Sequence, residues 1–89
     1  MKITILSDSG HAWGKVRRAL LNKLGIENLI SHYSYQRGQY VFLEEDTDLN
    51  ILCMNLDQHN IKYSFETRHT NKTSKVRGYE SYKKTYRSN

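Results

Sequence analysis

The sequence holds a single cysteine and no long apolar run, and each shortage removes a class of protein. A lone Cys53 cannot close an intramolecular disulfide, so no disulfide framework supports the fold. With no apolar secretory segment at its start, the chain is expected in a reducing, cytoplasmic setting. No stretch approaches the roughly 20 apolar residues of a membrane-spanning helix, so no membrane partner is expected. Internal repeats and low-complexity linkers are also missing. Eighty-nine residues suit one domain and are too few for two. A chain of this length buries only roughly 60–65% of its unfolded surface, which leaves a thin core. Shallow surface sites, or sites shared with a partner or with a second copy in a homodimer, are easier to build on it than an enclosed active site.

Chemical motifs are scarce too. His11, His32, His59 and His69 are scattered and Cys53 lies on an apolar helical stripe, so the close paired spacing of a zinc site is missing. Gly10 and Gly14-Lys15 imitate a phosphate loop, but Val16 stands where the magnesium-binding hydroxyl belongs. No pair of groups shows the spacing of acid–base or nucleophilic work. The run Glu44, Glu45, Asp46, Asp48 suits either a hard cation or a solvated helix start. Neither a cofactor nor a metal is expected, and the chain reads as a binding protein rather than an enzyme.

Positive charge is what the chain has in excess. Fourteen Lys and Arg against nine Asp and Glu leave a formal +5. The excess is local: Arg68, Lys72, Lys75, Arg77, Lys83, Lys84 and Arg87 face one acid, Glu80, giving this end +6, while the first 67 residues sum to −1. Such a surface favours phosphate-bearing ligands and acidic protein faces, through contacts that weaken with salt.

Hydrophobic periodicity predicts an α+β fold in the order β-α-β-β-α-β. Ile3 and Ile5 alternate with Lys2 and Thr4 over residues 2–7, a first strand. Residues 8–14 are expected as a loop. Lys15 to Leu24 reads as an amphipathic helix, with Val16, Ala19, Leu20 and Leu24 on its stripe and Gly25 as a left-handed cap. Tyr33–Tyr35 and Gln39–Glu44 read as strands around a turn at Gly38, the second of them central in the sheet. Leu49, Leu52, Cys53 and Leu56 mark a second helix, capped by Asp46 or Thr47 and stopped at Asn60. Ile61, Tyr63 and Phe65 alternate as a half-buried last strand. The simplest packing puts two helices on one face of a small mixed or antiparallel sheet of four strands, an order that fits the ferredoxin-like arrangement. Residues 1–75 form the expected domain, and 76–89 a basic, Tyr-rich segment, partly docked or flexible.

Candidate contact residues fall in three clusters. In the glycine-flanked loop, Trp13 can stack on a ring and His11 can supply a hydrogen bond, beside an expected helix N-terminus with Lys15, Arg17 and Arg18. Alternatively, Trp13 anchors the loop in the core. In the tail, Arg77, Tyr79 and Tyr82 interleave cations with rings, as single-strand and nucleotide sites do, and the segment runs on to Tyr86 and Arg87. A solubilising tail, or rings that cover the sheet, is the plainer alternative. Around the hairpin, Tyr33, Tyr35, Arg37 and Tyr40 have the character of anchors for a protein partner, or simply cover surface.

The run from His11 to Ile26, then Ile30-Ser-His-Tyr-Ser-Tyr-Gln-Arg-Gly38, Leu43-Glu-Glu-Asp46 and Arg77-Gly-Tyr-Glu-Ser-Tyr82, resembles a group of small proteins encoded by bacteriophages and other mobile elements. The resemblance spans roughly residues 10–82 and departs at Ala12, where the group often has Gly. It carries no settled activity, so it assigns no functional residue. It implies a phage protein in an infected bacterial cytoplasm, a small non-enzymatic modulator of host or defence machinery. Two functions are therefore expected: binding of nucleic acid or nucleotide, with His11, Trp13, Lys15, Arg17 and Arg18 on one wall and Arg77, Tyr79 and Tyr82 on the other, or interaction with a host or defence protein.

Overall fold

The computed structural model describes residues 1–84, so Tyr86 and Arg87 of the interleaved tail lie outside the described residues. Within them the fold is α+β, with two helices and an open, mixed sheet of six strands. Strand β1 (Lys2–Ser7) pairs antiparallel with β2 (Ala12–Arg17), and β2 pairs antiparallel with β4 (Tyr40–Glu44). Strand β3 (Tyr35–Arg37) joins β4 through a turn in which Gly38 takes φ 58°, and β6 (Glu80–Ser81) adds to β3. Strand β5 (Ser64–His69) lies parallel to β1, so the order across the sheet is β5-β1-β2-β4-β3-β6. Helix α1 covers Arg18–Leu24 and α2 covers Asp48–Gln58.

Two features depart from the expected order. The first is the segment before α1. Residues 12–17 are a strand, not a loop running into a helix, and α1 starts three residues later than predicted. The period of two is present in the sequence: Gly14 and Val16 face the helices, while Trp13, Lys15 and Arg17 face away. Hydrogen-bonding partners on both sides, β1 and β4, outweigh the helical propensity of Lys15-Val16-Arg17. The chain is thus β-β-α-β-β-α-β-β, and its first two strands form a hairpin instead of being separated by a helix. The second departure is β6, a further strand beyond the expected four, while Tyr33 precedes β3 instead of opening it.

The remaining expectations meet the structure more closely. Gly25 caps α1 at φ 71°, and Asn60 ends the turn after α2 at φ 57°. Thr47 holds the N-cap position of helix α2, but neither its side chain nor that of Asp46 makes the capping hydrogen bonds. Glu44 does so from the end of β4: its Oε1 accepts from the backbone N–H groups of Thr47 and Asp48 at 2.6 and 2.8 Å, and its Oε2 from Asp46 at 2.9 Å. Strand β4 is central, with Val41, Phe42 and Leu43 all buried. The expected last strand starts at Ser64, so Ile61 and Tyr63 precede it, partly buried against the core as expected, whereas Phe65 and the rest of β5, an outer strand, are exposed.

Both faces of the sheet carry apolar side chains. On one face Ile3, Val16, Val41 and Leu43 pack with Leu21 of α1 and with Leu52 and Leu56 of α2. The approach of α2 is close: a Cβ on Gly14 would lie 2.6 Å from Leu49 Cδ1. On the other face Trp13 and Phe42 are covered by Val76 and Tyr79, from a 3-10 turn at Lys75–Gly78. The chain then passes along β3 as β6 and delivers Tyr82 to the helix-side core. Residues 76–84 thus dock on the sheet, and Val76 is as much a core residue as Leu43.

Val76→Asp, which puts a carboxylate between Trp13 and Phe42, is expected to lower the thermal midpoint sharply. Lys75→Ala, one residue away at an exposed position, should change stability by no more than about 0.5 kcal/mol. Thermal unfolding of the two variants by circular dichroism checks the pair, and equal effects would mean that the 3-10 turn does not cover the sheet.

Candidate functional site

The sheet face away from the helices carries the chemistry, and Asp8 organises its upper end. Asp8 follows β1, where the chain must reverse into β2. Its Oδ1 accepts from the backbone N–H groups of Gly10 and His11 at 2.9 and 3.0 Å, which shapes that turn. Its Oδ2 accepts from the Ser74 N–H at 3.0 Å. Arg77 closes the arrangement with a bidentate pair, Nε to Oδ2 at 2.7 Å and Nη2 to Oδ1 at 2.9 Å, and its guanidinium lies 5.2 Å from the Trp13 ring. Arg77, followed by the Ser74, Gly10 and His11 N–H groups acting against partial burial, holds the Asp8 carboxyl far below the usual carboxylate range.

The expected meeting of Trp13, His11 and Arg77 does occur. The three line a cleft of about 400 Å³ together with Tyr33 and Tyr35. Its electrostatics differ from the expectation. Arg77 is neutralised by Asp8, and the lining includes Glu44 and Asp46. Burial pushes the Glu44 carboxyl up, but the N–H groups of Asp48, Asp46 and Thr47 outweigh it and keep that group ionised to lower pH than usual. His11 stands 4.0 Å from Glu45, which also accepts from the Ala12 N–H. The Trp13 indole is 3% exposed, with Tyr35 edge-on at 6.2 Å, so it anchors the core and offers no stacking face. The expected N-terminus of α1 does not adjoin this loop, because residues 12–17 are a strand, whereas the start of α2 lines the same cleft through Asp46 and Thr47.

Other expected contact residues are occupied elsewhere. Tyr82 is 4% exposed in the helix-side core, on the opposite side of the sheet from Arg77, and its hydroxyl donates to the Glu27 carbonyl at 2.6 Å. Burial, opposed by Arg18 nearby, raises its pKa. Arg18 is a structural tie: it donates to the Lys83 carbonyl at 3.1 Å and to Gln36 Oε1, and it sits 5.0 Å from the Tyr82 ring. Both residues lock the segment around Tyr82 and Lys83 to β3 and the residues before it. The expected two-walled pocket therefore does not form, because strand β6 carries the chain around the sheet edge between Arg77 and Tyr82.

Several cations without an acidic partner among the described residues lie on the rest of the open face. Alternation and register place Arg17, Tyr40 and Arg37 in one row across β2, β4 and β3, with Lys15 beside Phe42 in the next row. Lys15 Nζ lies 4.3 Å and the Arg17 guanidinium 5.3 Å from the Tyr40 ring, while Arg37 lies 5.0 Å from Tyr79. Lys2, Lys15 and Arg17 line a cleft of about 400 Å³ that contains no carboxylate. A third cleft, about 380 Å³, lies between the upper ends of β1 and β5 and the 3-10 turn, and Arg68, His69, Lys72 and Lys75 line it with hydroxyl groups and again no carboxylate. Among the described residues no ion pair engages Lys15, Arg17, Arg37, Arg68, Lys72 or Lys75.

In the sequence Arg68, Lys72 and Lys75 count only as charge, and Tyr40 groups with the hairpin rather than with Lys15 and Arg17, whose cations lie over its ring. Sequence reasoning also misses the hydrogen bond between Ser7 Oγ and His69 Nδ1 at 2.8 Å. These groups are 62 positions apart and meet because β5 returns parallel to β1, which nothing local announces. A second missed constellation is Asp48, fully buried, whose Oδ2 accepts from the Ser31 N–H and from the Ser31 and Ser34 hydroxyls at 3.0, 2.7 and 2.6 Å. It ties α2 to the segment before β3.

The depressed pKa of Asp8 gives stability a pH dependence of definite sign. The folded state binds the Asp8 proton less tightly than the unfolded chain, so this contribution is complete above the ordinary carboxylate range. It is lost progressively as pH falls below about 4. Asp8→Asn should therefore be less stable than the wild type at neutral pH and should lose less on acidification. Thermal midpoints from about pH 7 to 2.5 measure the difference, and parallel profiles would show that Asp8 contributes nothing to the acid sensitivity.

Comparison with known protein families, with characterised proteins and with solved structures finds no match to this chain.

Proposed function

We propose that this is a non-enzymatic binding protein whose ligand is the phosphate backbone of nucleic acid, carried on the open face of the sheet. The observation that supports the reading is the set of cations on that face with no carboxylate partner: Lys15, Arg17 and Arg37 across the strands, and Arg68, Lys72 and Lys75 around the cleft beside β5. Adjacent strands are about 4.8 Å apart, so the row from β2 to β3 presents charge over about 10 Å of extended surface. This suits a tracking backbone better than a compact anion.

The aromatic groups refine the reading. Tyr40 and Tyr79 are half-buried and already have cations beside their rings. They hold Lys15, Arg17 and Arg37 in place more than they offer free faces for bases. Recognition is then of charge and spacing, with little dependence on base identity. Together with the resemblance to phage-encoded proteins, the proposed setting is the cytoplasm of an infected bacterium.

Binding of a labelled single strand of about 20 nucleotides should be measurable at about 50 mM salt and should fall steeply by about 200 mM. Replacing Lys15, Arg17 and Arg37 together by Ala should reduce the slope of log affinity against log salt by about 2, at ~0.7 for each phosphate no longer neutralised. Oligonucleotides of different base composition should differ only a few-fold. Absence of binding at about 50 mM salt sinks the proposal.

A second reading rests on the cleft at Trp13. Tyr33 is 70% exposed at its rim, and the mixture of His11, Glu44 and Asp46 suits a protein surface better than a phosphate. A host or defence protein docked there would use Tyr33, Tyr35 and the cleft acids. Capture of a defined partner that survives nuclease treatment and is abolished by Tyr33→Ala supports this reading, and a partner set that collapses with nuclease removes it.

A further inference from the structure

The two outer strands of the sheet are unlike. Strand β6 has two residues, whereas β5 has six, all exposed, with no proline and, among the described residues, no strand on its outer side. A long, uncovered edge presents a row of unpaired backbone donors and acceptors, which proteins usually blunt. Which groups face outward follows from the pairing with β1. The Ser64 N–H donates to the Met1 carbonyl and the Thr70 N–H to the Ser7 carbonyl, so the even-numbered residues turn their backbone groups inward. Phe65, Thr67 and His69 therefore turn theirs outward.

We propose that β5 pairs antiparallel with β5 of a second copy of this chain, about a two-fold axis through Thr67. The backbone admits only registers that oppose outward-facing residues, and side-chain charge selects among them. Moving the register one step either way puts Glu66 against Glu66 or Arg68 against Arg68. The register centred on Thr67 puts Glu66 of each copy against Arg68 of the other. In that register Phe65 opposes His69 and Thr67 opposes its own counterpart as hydrogen-bonded pairs, giving about six bonds between the copies. Glu66 and Arg68 become the closer, non-hydrogen-bonded pair. Glu66 now has only a long contact to Lys2 at 3.9 Å, and Arg68 has no ion pair among the described residues. Phe65, 51% exposed on the helix side and 5.6 Å from the Tyr63 ring, would be covered by the partner strand. The sheet becomes continuous through both copies, and the cationic faces lie on the same side of it.

This proposal does not rest on the phosphate-binding reading, shares only Arg68 with it, and its test uses no nucleic acid. An edge contact of this size is smaller than a standard interface, so association is expected in roughly the micromolar range. Sedimentation equilibrium or light scattering of the full chain from about 10 to 500 µM should show conversion from 10.5 kDa to about twice that mass. Glu66→Arg alone and Arg68→Glu alone each oppose like charges at two symmetric places. Each should raise the dissociation constant on the order of tenfold. The double variant Glu66→Arg/Arg68→Glu restores opposite charges and should return the dimer, as should an equimolar mixture of the two single variants. Circular dichroism of each confirms folding. A wild type that stays at 10.5 kDa at about 500 µM overturns the proposal, and so does a double variant that folds but does not regain the dimer.

Discussion

The bidentate pair between Asp8 and Arg77 is the constraint on which the open face depends. Asp8 sits where β1 ends, and Arg77 lies in a turn 69 positions later. Their contact, joined by the Ser74 N–H, pins the 3-10 turn across the middle of the sheet. Val76 and Tyr79 are then carried onto Trp13 and Phe42. A small chain with helices on only one side of its sheet would leave these large rings in water. The clasp lets the chain use both faces of one sheet, which answers the shortage of core that its length imposes.

The same clasp determines which charges are left for a ligand. Arg77 is consumed by Asp8, Arg18 ties β3 to the segment around Lys83, and Lys83 pairs with Glu80 at 3.0 Å. These side chains look like ligand contacts in the sequence because they are basic and lie near tyrosines. Structurally they are fasteners. Among the described residues, cations without a carboxylate partner gather on strand positions facing away from the helices and around the edge cleft beside β5, in addition to Lys23, Lys62 and Lys84. Net charge predicts a preference for anions, but geometry decides which cations can express it.

The outer strands show the same division between composition and context. Nothing in Ser64-Phe65-Glu66-Thr67-Arg68-His69 marks it as an edge; the alternation around Phe65 reads as half-buried. It becomes an edge because β1 takes it on one side and, among the described residues, no strand takes the other. Once there, its backbone parity and the signs of Glu66 and Arg68 acquire a meaning that they lack in a central strand.

By itself, the sequence determined the elements whose causes are local. The first strand, the cap at Gly25, the buried run Val41–Leu43, the stripe of Leu49, Leu52, Cys53 and Leu56, and the stop at Asn60 all follow from residues within one or two turns of each other. So does the concentration of positive charge after Arg68. Only the tertiary structure decided that residues 12–17 form a strand, since that required β1 and β4 as neighbours. It also decided that Trp13 is core, that Arg77 is neutralised, that Tyr82 crosses to the helix side, and that Ser7 meets His69. Each of these depends on residues far apart in the chain coming together, and local periodicity carries no information about which distant partner a side chain will find.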